Sequence, residues 1–154
     1  MNLKILWPGK TKNRDLRRLQ EFFLERIQQL SGFELIETKE AKGIGEKFRD
    51  RIKEVEAQGL EKYLKDDYII CLSDEGQEMN SLQFARLIEE CGSSSRRLAF
   101  VVGGFLGLAD RMIERANLLL SLSKMTFSHE LSRVILLEQI YRSLTILKGK
   151  PYAK

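Results

Sequence analysis

Two segments of the chain have the residue types and spacing of a ligand site. The first, Gly103-Gly104-Phe105-Leu106-Gly107, follows an apolar run and precedes a helical pattern. Backbone N–H groups at such a strand-to-helix turn can cradle an anionic or nucleoside ligand, and the helix dipole assists. The run lacks the GxGxxG dinucleotide spacing, and no P-loop Lys-Ser/Thr follows it. A tight turn that binds nothing is therefore the open alternative.

The second segment, Leu122 to Phe127, precedes the last helical pattern and is unusually apolar for a loop. Loops normally cross the protein surface and are polar. An apolar loop indicates burial against something, either a flat ligand such as adenine or the protein itself. Packing in the core and contact with a partner chain both remain open.

The cysteines and the histidine limit which other chemistries are possible. Cys71 and Cys91 have no Cys or His neighbour at metal-ligand spacing, and His129 is the only histidine. We therefore expect no metal site, and His129 is the single possible base for a catalytic triad, with no nucleophile-elbow pattern to supply its partner. Cys71 is expected to be a buried strand residue.

Charge is distributed unevenly, although the chain is only +4 overall. The first twenty residues contain one acidic side chain, Asp15, and six basic ones: Lys4, Lys10, Lys12, Arg14, Arg17 and Arg18. The C-terminal residues Lys148, Lys150 and Lys154 have no acidic neighbour. Both ends could contact phosphates, and plain solubility is the alternative. Glu138 and Arg142 have the i, i+4 spacing of an ion pair on one helical face.

Alternating strand and helix patterns must position these residues. The predicted strands are Leu3–Trp7, Phe33–Glu37, Tyr68–Leu72, Leu98–Val102 and Leu118–Ser121. The predicted helices are Leu16–Leu30, Glu46–Lys65, Ser81–Cys91, a short helix after Gly107, and His129–Leu147. This order favours a mostly parallel sheet covered on both faces, with ligands at the carboxyl ends of the strands. Three loops would then form the site: residues 72–76, 103–107 and 121–127.

Length and composition indicate one globular domain, residues 1–154, with 43% hydrophobic and 31% charged residues. The longest apolar stretch, Leu98 to Ala109, is shorter than the roughly 18 residues that a membrane span needs. The first residues show no secretory signal. We therefore expect a cytoplasmic protein.

Several stretches are similar to one known family. They are Val102-Gly103-Gly104 with Gly107-Leu108, Leu120 to Phe127, His129, Arg133, Glu138, Gln139, Tyr141, Arg142 and Tyr152, besides the opening strand that ends in Gly9-Lys10. On these residues the chain resembles the RlmH-type methyltransferases, small SPOUT enzymes that methylate N3 of a pseudouridine in large-subunit ribosomal RNA. The resemblance covers nearly the whole chain, and it is specific in the C-terminal half and generic in the first half.

The resemblance implies a three-layer α/β/α fold with a C-terminal deep trefoil knot, a homodimer and S-adenosylmethionine as cofactor. It implies that the cofactor pocket is formed by Leu72, Gly103, Leu122, Ser123, Lys124, Met125, Thr126 and Phe127. Gly103→Val is expected to block this pocket and leave the fold largely intact. In the dimer, Val134, Leu137 and Tyr141 are expected to supply apolar contacts. The substrate would be the 23S RNA of the assembled ribosome, and the alternative is a non-catalytic RNA- or nucleotide-binding module.

Catalysis would require loss of the N3 proton of the base and stabilisation of the charge that develops. We expect Arg142 to stabilise that charge or position RNA, Tyr152 to orient the base and Glu138 to hold Arg142. His129 is expected to be neutral and structural, because it lies at a helix start. The candidate RNA contacts are Lys10, Lys12, Arg14, Arg17, Arg18 and Lys154. The family usually has histidine where this chain has Ala153, so a tail imidazole is missing here.

Overall fold

A computed structural model describes residues 2–152, whose strands form one five-stranded sheet. The strands are β1 (Asn2–Pro8), β2 (Gly32–Thr38), β3 (Tyr68–Glu78), β4 (Leu98–Val101) and β5 (Leu118–Ser121). They lie in the order β2-β1-β4-β3-β5, and each neighbouring pair is parallel. The helices are α1 (Arg14–Leu30), α2 (Arg49–Glu61), α3 (Ser81–Gly92), α4 (Asp110–Arg115) and α5 (His129–Leu147), with a 3-10 turn at Glu46–Phe48. The predicted parallel α/β sheet is confirmed. Lys154 and Ala153 lie outside the described residues.

The alternation of side chains along the central strands divides the core into two parts. On β4, Leu98 and Phe100 pack into a cluster with the apolar residues of α1, α3 and α5. Ala99 and Val101 pack into a second cluster with residues of α2 and α4. Successive residues of a strand point to opposite faces, so a strand covered by helices on both sides is apolar throughout. The helices therefore form layers on both faces of the sheet.

Strand β3 is longer than its sequence pattern predicts. The pattern ends the strand at Leu72 and predicts a loop over residues 72–76, but the strand continues to Glu78. Leu72 and Gln77 both pair with Leu120 of β5, so the intervening residues bulge out of register. The loop prediction was wrong because β5 pairs with Leu72 before the bulge and with Gln77 and Glu78 after it, and local sequence does not encode that partner.

Two of the three expected dimer contacts are core residues instead. Val134 is 6% exposed and Leu137 is fully buried, and both belong to the cluster between the sheet and α1, α3 and α5. Only Tyr141 is half-buried, against Phe23 and Tyr152. The prediction for Val134 and Leu137 was wrong because a helix packed on a sheet and between two other helices uses most of its circumference for the core.

Cys71 is fully buried in β3, as expected, and burial raises the pKa of its thiol to about 12. Within residues 2–152 no helix combines the length and apolar character that crossing a membrane requires. Among the same residues, no three His, Cys, Asp or Glu side chains cluster so that they could hold a metal ion.

Candidate active site

A cleft of about 510 Å³ opens at the carboxyl ends of β4 and β5 and beside the bulge of β3. The three predicted segments meet here, because parallel strands end at the same edge of the sheet. Of the expected cofactor residues, the cleft is lined by Leu72, Gly103, Leu122, Ser123, Met125, Thr126 and Phe127. Its volume lies within the range of small-molecule sites, roughly 300–1,000 Å³.

The glycine segment forms one wall of the cleft as a tight turn. The N–H of Gly107 donates to the carbonyl of Gly104 at 3.0 Å, and Gly107 has φ +86°, in the left-handed region that favours glycine. A Cβ on Gly103 would lie 2.7 Å from the carbonyl carbon of Gly107. Gly103→Val would therefore displace the turn itself, so the expectation that it only fills the pocket was wrong.

The segment after β5 forms the opposite wall. Ser121 Oγ donates to the carbonyl of Ser123 at 3.0 Å, and Ser123 Oγ accepts the N–H of Met125 at 2.9 Å. These bonds give the segment a defined turn. Lys124 is not among the lining residues, since its ammonium lies 3.7 Å from Glu78 Oε1 and its side chain is 85% exposed.

The cleft also includes side chains that sequence reasoning did not assign to it. These are His129 and Ser132, three residues apart on α5, and Lys53 of α2. Asp74 and Glu75, which belong to the predicted site segment 72–76, line the cleft as well. The i, i+3 spacing was a usable signal for Ser132. Nothing in the charged pattern of α2 distinguished Lys53 from its neighbours.

His129 is held in its neutral form. Its ring contacts Phe105 edge-on, with centroids 6.1 Å apart. Burial, and next the positive charge of Arg133, lower the pKa of His129 below its usual 6.5. At neutral pH the imidazole is therefore an uncharged hydrogen-bonding group in the wall of the cleft.

The three candidate catalytic residues lie together near the C-terminal end of α5. Arg142 Nη2 lies 3.1 Å from Glu138 Oε2, as the spacing predicts, and the Arg142 guanidinium carbon lies 4.8 Å from the centre of the Tyr152 ring. Tyr152 packs edge-on against Tyr141 at 4.6 Å. Burial, and next the charge of Glu138, raise the pKa of Tyr152. The phenol is thus a hydrogen-bond donor at neutral pH.

This catalytic cluster, Glu138, Arg142 and Tyr152, is distant from the cleft of its own chain. None of its members lines the cleft, whose last residue on α5 is Ser132. Glu138 and Arg142 follow Ser132 by six and ten residues, which corresponds to about 9 and 15 Å along the helix axis. Within one chain, therefore, the cleft and the cluster do not form one site.

The expected RNA contacts Lys10, Lys12, Arg14, Arg17 and Arg18 are all exposed, on the loop after β1 and the start of α1. Asn13 caps this helix, since its side chain accepts the N–H groups of Asp15 and Leu16. The ammonium of Lys12 lies 2.9 Å from Glu40 Oε1, so part of its charge is already balanced. The others leave a basic surface beside the sheet edge that carries the cleft.

Comparison with known proteins decides the family. Residues 1–153 match the family model described as "Predicted SPOUT methyltransferase". The chain belongs to the SPOUT methyltransferase family. Similar proteins include the "Ribosomal RNA large subunit methyltransferase H" of Clostridium beijerinckii, 40% identical with 100% of each chain covered. The protein of the same name from Geobacter metallireducens is 41% identical, covering 99% of this chain and 98% of the relative. These matches confirm the RlmH-type resemblance, and the protein is a methyltransferase.

Solved structures of other proteins share the fold at low sequence identity. A probable methylase family protein from Haemophilus influenzae Rd KW20 aligns over 99% of this chain and 70% of its own, with TM-score 0.56 and 12% identity. A probable methyltransferase from Bordetella pertussis Tohama I aligns over 93% of each chain, with TM-score 0.54 and 10% identity. At such identities the likeness concerns the fold alone.

Proposed function

We propose that this SPOUT methyltransferase transfers a methyl group from S-adenosylmethionine to N3 of a pseudouridine in large-subunit (23S) ribosomal RNA of the assembled ribosome. The observation that carries the proposal is the cleft at the carboxyl ends of β4 and β5 and the bulge of β3, where the three predicted cofactor segments meet. The named function of relatives that match the full chain supports ribosomal RNA as the substrate.

The residues of the cleft fit S-adenosylmethionine. Leu72, Leu122 and Phe127 offer apolar surface to an adenine ring, and the backbone of Gly103 and Ser123 offers fixed polar groups. Asp74 and Glu75 bring carboxylates that suit ribose hydroxyls or a cationic group. Lys124 would contribute through its backbone only. When bound, the cofactor supplies a methyl group on a positively charged sulfur.

The chain's own residues would bind and orient the target base. Arg142 would stabilise the negative charge that develops when the imide N–H passes its proton to solvent water, because a guanidinium in a partly dry site favours an anion. Tyr152 would orient the base, and Glu138 would hold Arg142 in place through their ion pair. Holding donor and acceptor in line can supply much of the rate enhancement.

The distance between the cleft and the catalytic cluster supports a homodimer. No member of the cluster lines the cleft of its own chain, and Arg142 lies about 15 Å along α5 from Ser132, the last residue of that helix in the cleft. We infer that the catalytic cluster of one protomer completes the cleft of its partner. The chain leaves Leu19 and Phe22 of α1 45% and 42% exposed, which adds apolar surface for such an interface.

The knot is part of the same proposal. Leu72 and Gln77 pair with the same residue of β5, and a Cβ on Gly76 would lie 2.6 Å from the carbonyl carbon of Leu119. This close packing places the bulge of β3 against β5 beside the cleft, and the family resemblance alone supports the trefoil knot.

Recognition of the RNA would rest largely on the assembled ribosome. The basic surface of Lys10, Lys12, Arg14, Arg17 and Arg18 can contact phosphates but does not read sequence. We propose the same role for Lys154 and expect the protein to act in the cytoplasm, on ribosomes. Efficient methylation of a short naked hairpin would contradict this part of the proposal.

Calorimetric titration with S-adenosylmethionine tests the cofactor site. We expect the unaltered protein to bind, and Phe127→Ala to weaken binding about tenfold because an aromatic wall is lost. Lys124→Ala is the matched control from the same segment and should leave the affinity unchanged. No heat and no thermal shift at millimolar ligand would leave a non-catalytic RNA-binding module as the function.

A further inference from the structure

The first turn of α5 faces two parts of the molecule. His129 and Ser132 line the cleft, whereas Glu130 and Arg133 contact the loop between β1 and α1. Glu130 follows His129 directly, and Arg133 follows Ser132. One residue along a helix turns the side chain by about 100° around the axis, so the two pairs face different directions. One helical turn thus joins the cleft to the loop that carries the basic surface.

Glu130 binds two successive backbone groups of that loop. Its Oε2 accepts the N–H of Lys12 at 2.7 Å, and its Oε1 accepts the N–H of Asn13 at 3.0 Å. Burial alone would raise the pKa of Glu130, but these two donors, with His129 and Arg133, lower it overall. Because Asn13 caps α1, the carboxylate also fixes the start of the helix that bears Arg14, Arg17 and Arg18.

Arg133 contacts the same loop and the end of β1. It is 1% exposed, and its Nη2 donates to the carbonyl of Pro8 at 2.7 Å while Nη1 donates to Thr11 Oγ1 at 3.0 Å. Its guanidinium carbon lies 4.8 Å from the centre of the Trp7 ring. Burial lowers the pKa of Arg133 to about 10, so the group remains charged at neutral pH. The loop is therefore attached to α5 through two ionic side chains and three hydrogen bonds, and a fourth joins Arg133 to Pro8 at the end of β1.

We propose that Glu130 and Arg133 are positioning residues that couple occupancy of the cofactor cleft to RNA binding by the loop between β1 and α1. The inference rests on the proposed function. A ligand bound against Leu122–Phe127 sets the position of the start of α5, which follows directly in the chain. The loop moves with the start of α5 through its bonds to Glu130 and Arg133, so it is already placed for RNA when the cleft is occupied. Coupling of this kind is reciprocal, so RNA would raise cofactor affinity by the same factor.

The test measures ribosome binding by fluorescently labelled protein, with and without saturating S-adenosylhomocysteine. We expect the product to tighten binding by about fivefold or more, the lower end of typical coupling. Glu130→Gln keeps one acceptor but loses the second. The ratio of the dissociation constant for the ribosome without S-adenosylhomocysteine to that with it should therefore fall toward one. Affinity for S-adenosylhomocysteine alone should not change. Glu114→Gln, at an exposed position on α4, removes the same charge and should keep the ratio.

Thr11→Val is a second variant that removes the acceptor of Arg133 and keeps the size of the side chain. It too should lower the ratio, and thermal melts of each variant report whether the fold is intact. The coupling would be overturned if the unaltered protein had equal dissociation constants with and without S-adenosylhomocysteine, or if both variants kept the ratio of the unaltered protein.

Methylation of ribosomes by the unaltered protein is scored separately. Coupled binding without methylation would overturn the proposed reaction alone, and absence of ribosome binding would overturn both.

Discussion

At the scale of single residues, Arg142 carries the proposed charge stabilisation. It is paired with Glu138 at 3.1 Å and lies over Tyr152, far from the cleft of its own chain. Arg142→Ala should lower single-turnover methylation of ribosomes about 100-fold or more, as loss of a transition-state donor typically does. Affinity for S-adenosylmethionine should stay the same. Arg142→Lys should be intermediate, since an ammonium lacks the planar fork. A wild-type rate for Arg142→Ala would contradict the assignment.

His129 gives a prediction about pH at the same scale. Burial and Arg133 lower its pKa in the folded protein, so the unfolded chain binds a proton first as the pH falls. The free energy of unfolding should therefore fall as the pH drops through about 6.5, the ordinary value, and level off below the folded pKa. His129 is the only histidine, so His129→Gln should remove this dependence. Urea unfolding of both proteins between about pH 5.5 and 7.5 measures it. Equal loss of stability in both would show that His129 is not the group.

The sequence predicts which residues form the cleft better than it predicts where their side chains point. Leu122, Ser123, Met125, Thr126 and Phe127 were assigned as one segment, and the cleft includes all five. Lys124 lies among them but turns toward Glu78, because the turn made by the Ser123 hydroxyl sets the direction of each residue. Such hydrogen bonds have no signature in residue spacing.

At the scale of elements, strands and helices follow local patterns, but the bulge of β3 does not. The apolar run Tyr68–Leu72 predicts a buried strand, and β5 was predicted with its observed bounds, Leu118–Ser121. The double pairing of Leu120 with Leu72 and Gln77 joins residues that are far apart in sequence. Strand order and register depend on such long-range contacts, which periodicity does not contain.

Gly76 tests the role of the bulge, and Gly59 in α2 serves as the comparison. Substitution by alanine should change the free energy of unfolding in opposite directions at the two positions. A Cβ on Gly76 would lie 2.6 Å from the backbone of Leu119, so Gly76→Ala should lower the free energy of unfolding by about 1–3 kcal/mol. Gly59 lies within α2, and its Cβ would meet only Thr38, at 3.8 Å. Gly59→Ala should therefore raise the free energy by about 0.5–1 kcal/mol. Urea unfolding measures both, and a neutral Gly76→Ala would show that the backbones at the bulge separate easily.

At the scale of the whole molecule, the alternation of strands and helices predicts the layered parallel sheet and the edge that carries the cleft. A trefoil knot cannot be predicted in that way, because threaded chains are rare among folds with the same pattern of elements. It enters through the family resemblance. The proposed dimer cannot be predicted from periodicity either, since core and interface residues share one apolar pattern, and Val134 and Leu137 proved to be core residues.

The proposed composite site predicts complementation between two inactive proteins. Arg142→Ala has an intact cleft, and Thr126→Trp, which fills the cleft with an indole, has an intact catalytic cluster. Each alone should methylate ribosomes very slowly. Co-expressed at equal amounts, half of the dimers should be mixed, and each mixed dimer has one cleft completed by an intact partner cluster. Activity should therefore recover to about a quarter of the unaltered level.

Recovery requires that the two protomers share sites, because a cluster serving its own cleft would leave both halves of a mixed dimer defective. Sedimentation of the same samples provides the control for assembly. A species of only 17.9 kDa at micromolar concentration would contradict the dimer. Mixed dimers that form without recovering activity would contradict the composite site alone, and would require α5 or the tail to move the catalytic cluster by about 15 Å within one chain.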